Sequence, residues 1–212
     1  VSKSNPRLYD LIAISFVAFL LIANVAATKL FSIGSLIFDG GAVLFPLTYV
    51  LGDVLAEVYG FARARRVIVI GFVMSAVASL TFFVVQLLPP APGYENQEAF
   101  EAILGFVPRI VLASLVAYLV GQLLNAYVLV SIKKRWGERR LWVRLLGSSI
   151  VGEAADTAIF CTIAFYGVLT GWDFVNYLVV GYAYKMLVEI LFLPLLYPAI
   201  AAVRKRELSY DK

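Results

Sequence analysis

The apolar residues of this chain neither alternate nor form a single helical stripe; they run on without interruption. Long runs occupy 8–28, 67–88, 108–132, 145–168 and 177–203, each near or above the ~20 residues that cross a bilayer as a helix. A shorter run, 42–59, carries Pro46 near its start and Gly52 in its middle. Polar punctuation separates the runs: Asp39-Gly40-Gly41, the arginines 63, 65 and 66, Pro89-Pro90, and KKRWGERR at 133–140. The pattern predicts an all-α integral membrane protein, a single domain over 1–212 with six transmembrane helices. The connection 89–108 holds Glu95, Glu98 and Glu101 and no basic residue; as the longest link it has room for a short surface helix. Val25-Ala26-Ala27 resembles a signal-peptide cleavage site, but the first run is long for that role and five more follow, so it is expected to remain as a span.

The polar positions inside these runs change the picture. Asp53 and Glu57 stand four apart in FPLTYVLGDVLAEVYG, which puts both on one helix face. A carboxylate in hydrocarbon is costly and normally faces a water-filled or ligand-filled interior, so the second span reads as the wall of a substrate pathway. Short or Pro/Gly-interrupted spans are also where transporters place binding sites. The fifth span repeats the theme with Glu153 and Asp156. The sixth holds Lys185 and Glu189, four apart, which can neutralise each other along one helix or serve a ligand. Asn24 and Lys29 lie near the end of the first span, Gln122 and Asn125 in the fourth. Four acids in two spans face at most two embedded lysines, so the set expects protons, water or a ligand rich in hydrogen-bond donors. The third run has no ionisable residue and reads as a packing helix.

Composition supports the membrane assignment. Of 212 residues 62% are hydrophobic and 15% charged, with a mean hydropathy of +0.88, against about 45–50% and about 25% in soluble domains. The net charge of +4 does not point to nucleic acid, because the basic residues cluster at helix ends. With six spans and both termini in the cytoplasm, all but Lys29, Arg109 and Lys185 of the 18 basic residues fall on the cytoplasmic side, as the positive-inside rule requires. The expected location is the cytoplasmic (inner) cell membrane. There is no histidine and a single cysteine, Cys161. Metal binding is not expected, nor is a cofactor, and no P-loop occurs. Without an obvious nucleophile, an intramembrane enzyme is disfavoured.

Arg7, Asn24 and Gly52-Asp53 are echoed by Arg109, Asn125 and Gly152-Glu153, with separations of 17 and 29 residues against 16 and 28. Two inverted repeats of three helices are one explanation, coincidence the other. In the first, Asp53 and Glu153 approach each other from opposite halves. Carboxylates accept paired N–H groups of the kind a guanine-type ring presents, while amides such as Gln122 and Asn125 serve carbonyls and ring nitrogens. Phe45, Tyr49, Tyr59, Tyr182 and Tyr184 offer faces on which a flat ring could stack. The chemistry favours a small, planar, donor-rich solute, although a proton or sodium pathway would use the same acids.

The stretch FPLTYVLGDVLAEVYG followed by ARR, with NVAATK, GQLLN and GEAADTAIF, resembles the queuosine-precursor transporter family, also grouped as vitamin uptake transporters. The resemblance covers nearly the whole chain, and GDVLAEVYG is its most specific part. It implies import of a 7-deazaguanine, such as 7-cyano-7-deazaguanine or the aminomethyl form, that feeds tRNA modification. The matching residues, Asn24, Lys29, Asp53, Glu57, Gln122, Asn125, Glu153 and Asp156, are then expected to bind the purine-like base. Asp53 and Glu153 would grip its donor edge. Glu57 and Asp156 would flank them or carry a proton. The rival reading is the substrate-binding subunit of an energy-coupling-factor vitamin importer, where Ala23 and Ala27 give a small face for a partner helix. Membrane lipid surrounds the chain in either case, and a homo-oligomer is compatible with both.

Overall fold

The computed structural model describes residues 7–136 and 141–208; Lys3, Lys212 and part of the basic turn, 137–140, lie outside the described residues. Seven helices make up almost all of it: α1 (Arg7–Ala26), α2 (Phe45–Tyr59), α3 (Phe61–Gln86), α4 (Gln97–Leu104), α5 (Val107–Trp136), α6 (Leu141–Phe165) and α7 (Gly171–Leu208). Among the described residues, five segments are long and apolar enough to cross a membrane: Leu8–Ala26, Phe61–Gln86, Gln97–Asn125, Gly147–Phe165 and Gly171–Glu207. Their outward faces carry large apolar side chains such as Leu80, Leu123 and Leu191, as helices bathed in lipid do. The short helix expected in the acidic connection is α4, although the apolar stretch that could cross a membrane begins within it, at Gln97.

One element departs from the helical pattern. Between α1 and α2 the chain forms a hairpin of β1 (Leu30–Ile33) and β2 (Leu36–Asp39). Gly34, at φ 61°, stands first in the two-residue loop, where a type II′ turn needs a residue free of Cβ. A 3₁₀ turn, Gly40–Val43, follows, with the Asp39 carboxylate accepting from the Gly41 N–H at 2.8 Å. α2 therefore begins only at Phe45, with Pro46 in its first turn, where a missing N–H costs nothing. Its 15 residues span about 22 Å, less than the ~30 Å hydrocarbon core. Gly60 alone separates α2 from α3, at φ 85°, a conformation few other residues adopt.

The chain divides into two compact units. The first takes Val1–Lys29, Asp39–Val107 and Leu187–Lys212; the second takes Leu30–Phe38 and Pro108–Met186. The first is built on a core of Ile12, Val54, Leu55, Ala64 and Val67, against which Phe16, Val50, Ala199, Ile200 and Val203 pack. At one end of this unit, the Glu207 carboxylate accepts from the Leu8 backbone N–H at 3.1 Å and from the Tyr59 hydroxyl at 3.0 Å. A carboxylate at a helix N-terminus satisfies an orphan donor and favours the dipole, so the end of α7 caps the start of α1. Tyr9 meets Tyr59 edge-on at 5.1 Å, and the Arg63 guanidinium lies over the Tyr9 ring. In the second unit Phe165 and Tyr177, both fully buried, pack edge-to-face at 4.9 Å. Arg109 reaches the end of α6, donating to the Ile163 and Tyr166 carbonyls at 2.6 Å each, the cation placement a helix C-terminus favours.

Candidate functional site

In the second unit, α5 and α6 come together at two glycines. A Cβ built on Gly121 would stand 3.0 Å from the Gly152 carbonyl oxygen and 2.9 Å from the Asp156 Cβ. One built on Gly152 would stand 3.0 Å from the Gly121 carbonyl oxygen and 2.8 Å from the Asn125 Cβ. Small residues let membrane helices approach to backbone contact. The crossing carries Asn125 of α5 and Asp156 of α6 to the helix pair's seam, each beside the other helix's glycine. Thr157 faces α7, with its methyl 3.7 Å from where a Gly181 Cβ would be.

One turn beyond Gly181, Lys185 of α7 meets both acids of α6. Its Nζ donates to Asp156 Oδ2 and lies 3.7 Å from Glu153 Oε2. Two carboxylates on one ammonium leave the trio with a formal charge of −1. Their side chains keep 19–30% exposure. Beside them the Thr157 hydroxyl and the Asn125 amide oxygen are buried with no hydrogen-bond partner among the described residues, whereas buried polar atoms normally have one.

The structure corrects one expectation here. Lys185 directs its ion pairs across to α6, to Asp156 and Glu153, rather than along its own helix to Glu189. A spacing of four shows which residues share a face, but not what stands opposite that face. The sequence leaves Lys185 open between a partner for Glu189 and a ligand group, and a hydroxyl in GEAADTAIF is the only signal for Thr157.

The other expected residues are distributed as follows. Gln122, on α5, is exposed, and Asn125 is half-buried. Tyr184 packs edge-on against Phe38 of β2 at 5.8 Å, and Phe38 in turn stacks on Phe31 of β1. Tyr182 donates to the Ile150 carbonyl at 3.2 Å.

In the first unit, Asp53 is half-buried on α2, with the Tyr49 hydroxyl and the carboxylates of Glu189 and Glu57 near it. The Tyr49 ring lies 6.2 Å from that of Phe45. Glu57 is exposed at the end of α2 and faces Arg204 of α7, carboxylate to guanidinium 3.6 Å. Asn24 is buried and donates to the Ser75 hydroxyl of α3 at 3.2 Å, a helix–helix bond. Lys29 is exposed where α1 gives way to the hairpin. Tyr59 belongs to the Glu207 cap.

These features define a multi-pass helical membrane protein with an ion-paired polar cluster held between its helices. The family described as "Putative vitamin uptake transporter" matches residues 39–199, and the chain belongs to that family. Over 190 residues it is 34% identical to the "Probable queuosine precursor transporter" of Bacillus subtilis (strain 168), covering 88% of this chain and 82% of the relative. The "Queuosine precursor transporter" of Escherichia coli (strain K12) is 29% identical over 155 residues, 72% of this chain and 67% of that protein. No solved structure matches the chain.

Proposed function

We propose that this protein is a secondary transporter importing a 7-deazaguanine queuosine precursor, such as 7-cyano-7-deazaguanine, through the cytoplasmic membrane. The observation that carries the reading is the Glu153–Lys185–Asp156 cluster beside buried, unsatisfied Thr157 and Asn125 oxygens, in a chain whose relatives bear the name of queuosine precursor transporters. A guanine-type ring presents adjacent N–H donors, and a carboxylate accepts two of them side by side. Glu153 is assigned that grip, with Asn125 and Gln122 as amide contacts and Asp156 flanking. Asp53, near Tyr49, is a second carboxylate that transport requires; Glu57, Asn24 and Lys29 complete the set.

Six crossings with both termini in the cytoplasm remain the topology we propose. The 3₁₀ turn and α2 end to end amount to about 30 Å, which supports α2 as the sixth crossing. An internal repeat of α1–α3 and α5–α7 is supported by the matching spacings of their Asn and Gly-acid positions. The decisive experiment is calorimetric binding of 7-cyano-7-deazaguanine to the purified protein in detergent, with guanine and adenine as controls. Selective binding that weakens in Glu153→Gln supports the assignment; no binding of any purine-like base refutes the cargo.

A further inference from the structure

A carboxylate alone reads only part of a guanine-type edge. That edge runs acceptor, donor, donor: the ring carbonyl, then the ring N–H, then the exocyclic amine. Glu153 can take the two donors, and a third group must then donate to the carbonyl. Asn125 and Thr157 present unsatisfied oxygens here and can also donate, through an amide N–H and a hydroxyl, but the ammonium is the one group that carries three N–H donors and no acceptor and already stands beside Glu153. Lys185 lies 3.7 Å from Glu153 Oε2, beyond the span of a normal hydrogen bond, while its tighter contact is with Asp156. Ammonium and carboxylate therefore stand side by side rather than closed on each other, donor next to acceptor, as the ring edge requires.

We infer that Lys185 reads the ring carbonyl of the cargo, making the α6–α7 cluster selective for oxo-purines, and that Asp156 is the positioning residue that holds its ammonium beside Glu153. The inference rests on the deazaguanine reading above and gives a specific role to a residue that lies outside the family motifs and that the spacing of charges left open between a partner for Glu189 and a ligand group. Asp156 is itself fixed by the Gly121 crossing, which sets its Cβ against α5. The Thr157 hydroxyl, a turn below Glu153 on the side facing Gly181, is buried and has a proton to offer a second ring acceptor. An adenine-type ring, with an amine where the carbonyl should be, would set donor against donor at Lys185. Such a mismatch leaves a buried donor unsatisfied and is strongly rejected by sites of this kind.

The test compares 7-cyano-7-deazaguanine with its 6-thioxo analogue, which keeps both donors but replaces the carbonyl oxygen by sulfur, a weak acceptor. The wild-type protein is expected to favour the oxo ring by on the order of tenfold, the scale of one charge-assisted hydrogen bond. Lys185→Met should bind both rings weakly and equally, and Lys185→Arg should restore part of the preference. A Lys185→Met protein that keeps the wild-type ratio overturns the inference. Should that variant fail to insert, Lys185→Met with Asp156→Asn retains the cluster's formal charge of −1 and is read the same way. Wild-type protein that binds neither ring defeats the cargo reading itself, whereas binding with an unchanged ratio in the variants defeats only the role of Lys185.

Discussion

Gly121 and Gly152 are mutual neighbours, each with its carbonyl oxygen 3.0 Å from where the other's Cβ would be. The contact is reciprocal, so neither glycine can be exchanged without moving the other's backbone. Residues packed at such a crossing inherit its rigidity, and here they are Asn125 and Asp156.

Widening this crossing should both destabilise the protein and spoil the cluster. Gly152→Val, or the milder Gly152→Ala, forces a methyl group to within 2.8 Å of the Asn125 Cβ, an overpacking that costs about 1–3 kcal/mol or more. Thermal unfolding in detergent should show a clear fall in Tm, with substrate affinity lost in parallel. An unchanged Tm would show that the helices separate freely.

Asp53→Asn should abolish uptake while leaving membrane insertion intact. The amide keeps the size of the side chain and removes the charge. Vesicle uptake assays beside quantification of inserted protein decide it; normal transport would remove Asp53 from the functional set.

Asn24 and Ser75 separate a structural from a binding role. Their hydrogen bond joins α1 to α3, and such bonds in membranes contribute about 0.6 kcal/mol on average and up to about 1.7 kcal/mol. Ser75→Ala should lower Tm slightly with cargo affinity unchanged. If Asn24 also contacts the cargo, Asn24→Ala lowers affinity as well; a variant pair that differs in nothing makes Asn24 a packing residue.

The carboxylate of Glu207 serves two donors at once. Glu207→Ala should cost about 1–2 kcal/mol, the worth of a helix cap, and Tyr59→Phe about 0.5–1.5 kcal/mol. A double-mutant cycle in Tm should show coupling, since both changes remove the Tyr59 bond. Strict additivity would mean that the bond contributes nothing.

Topology is open to a direct chemical test. In a Cys161→Ser background, a cysteine at Glu98 should react with a membrane-impermeant thiol reagent added to intact cells, and one at Lys205 only after permeabilisation. The reverse pattern would invert the orientation.

Much of the architecture was readable because hydrocarbon imposes a simple rule: apolar stretches of sufficient length become helices. The five long apolar segments follow from it. The hairpin at Leu30–Asp39 was hidden, since LFSIGSLIFDG is neither long enough for a span nor polar enough for a simple loop. The acids were legible by their cost in lipid, but their partners were not. Lys185 and Glu189 advertise themselves as a pair by spacing, while Lys185 to Asp156 bridges 29 positions of chain. Asn24 shows the converse: a polar residue in a span invites a functional reading, yet its amide is bonded to a serine 51 residues away.

The division of α7 has a consequence for biogenesis. Its downstream half, with Ala199, Ile200 and Val203, completes the core on which α1, α2 and α3 pack. The ribosome releases those three helices to the translocon long before it has made the residues that finish their packing. The first unit must therefore wait in the bilayer, unfinished, while the whole of the second is inserted, and only then close around the last helix to arrive.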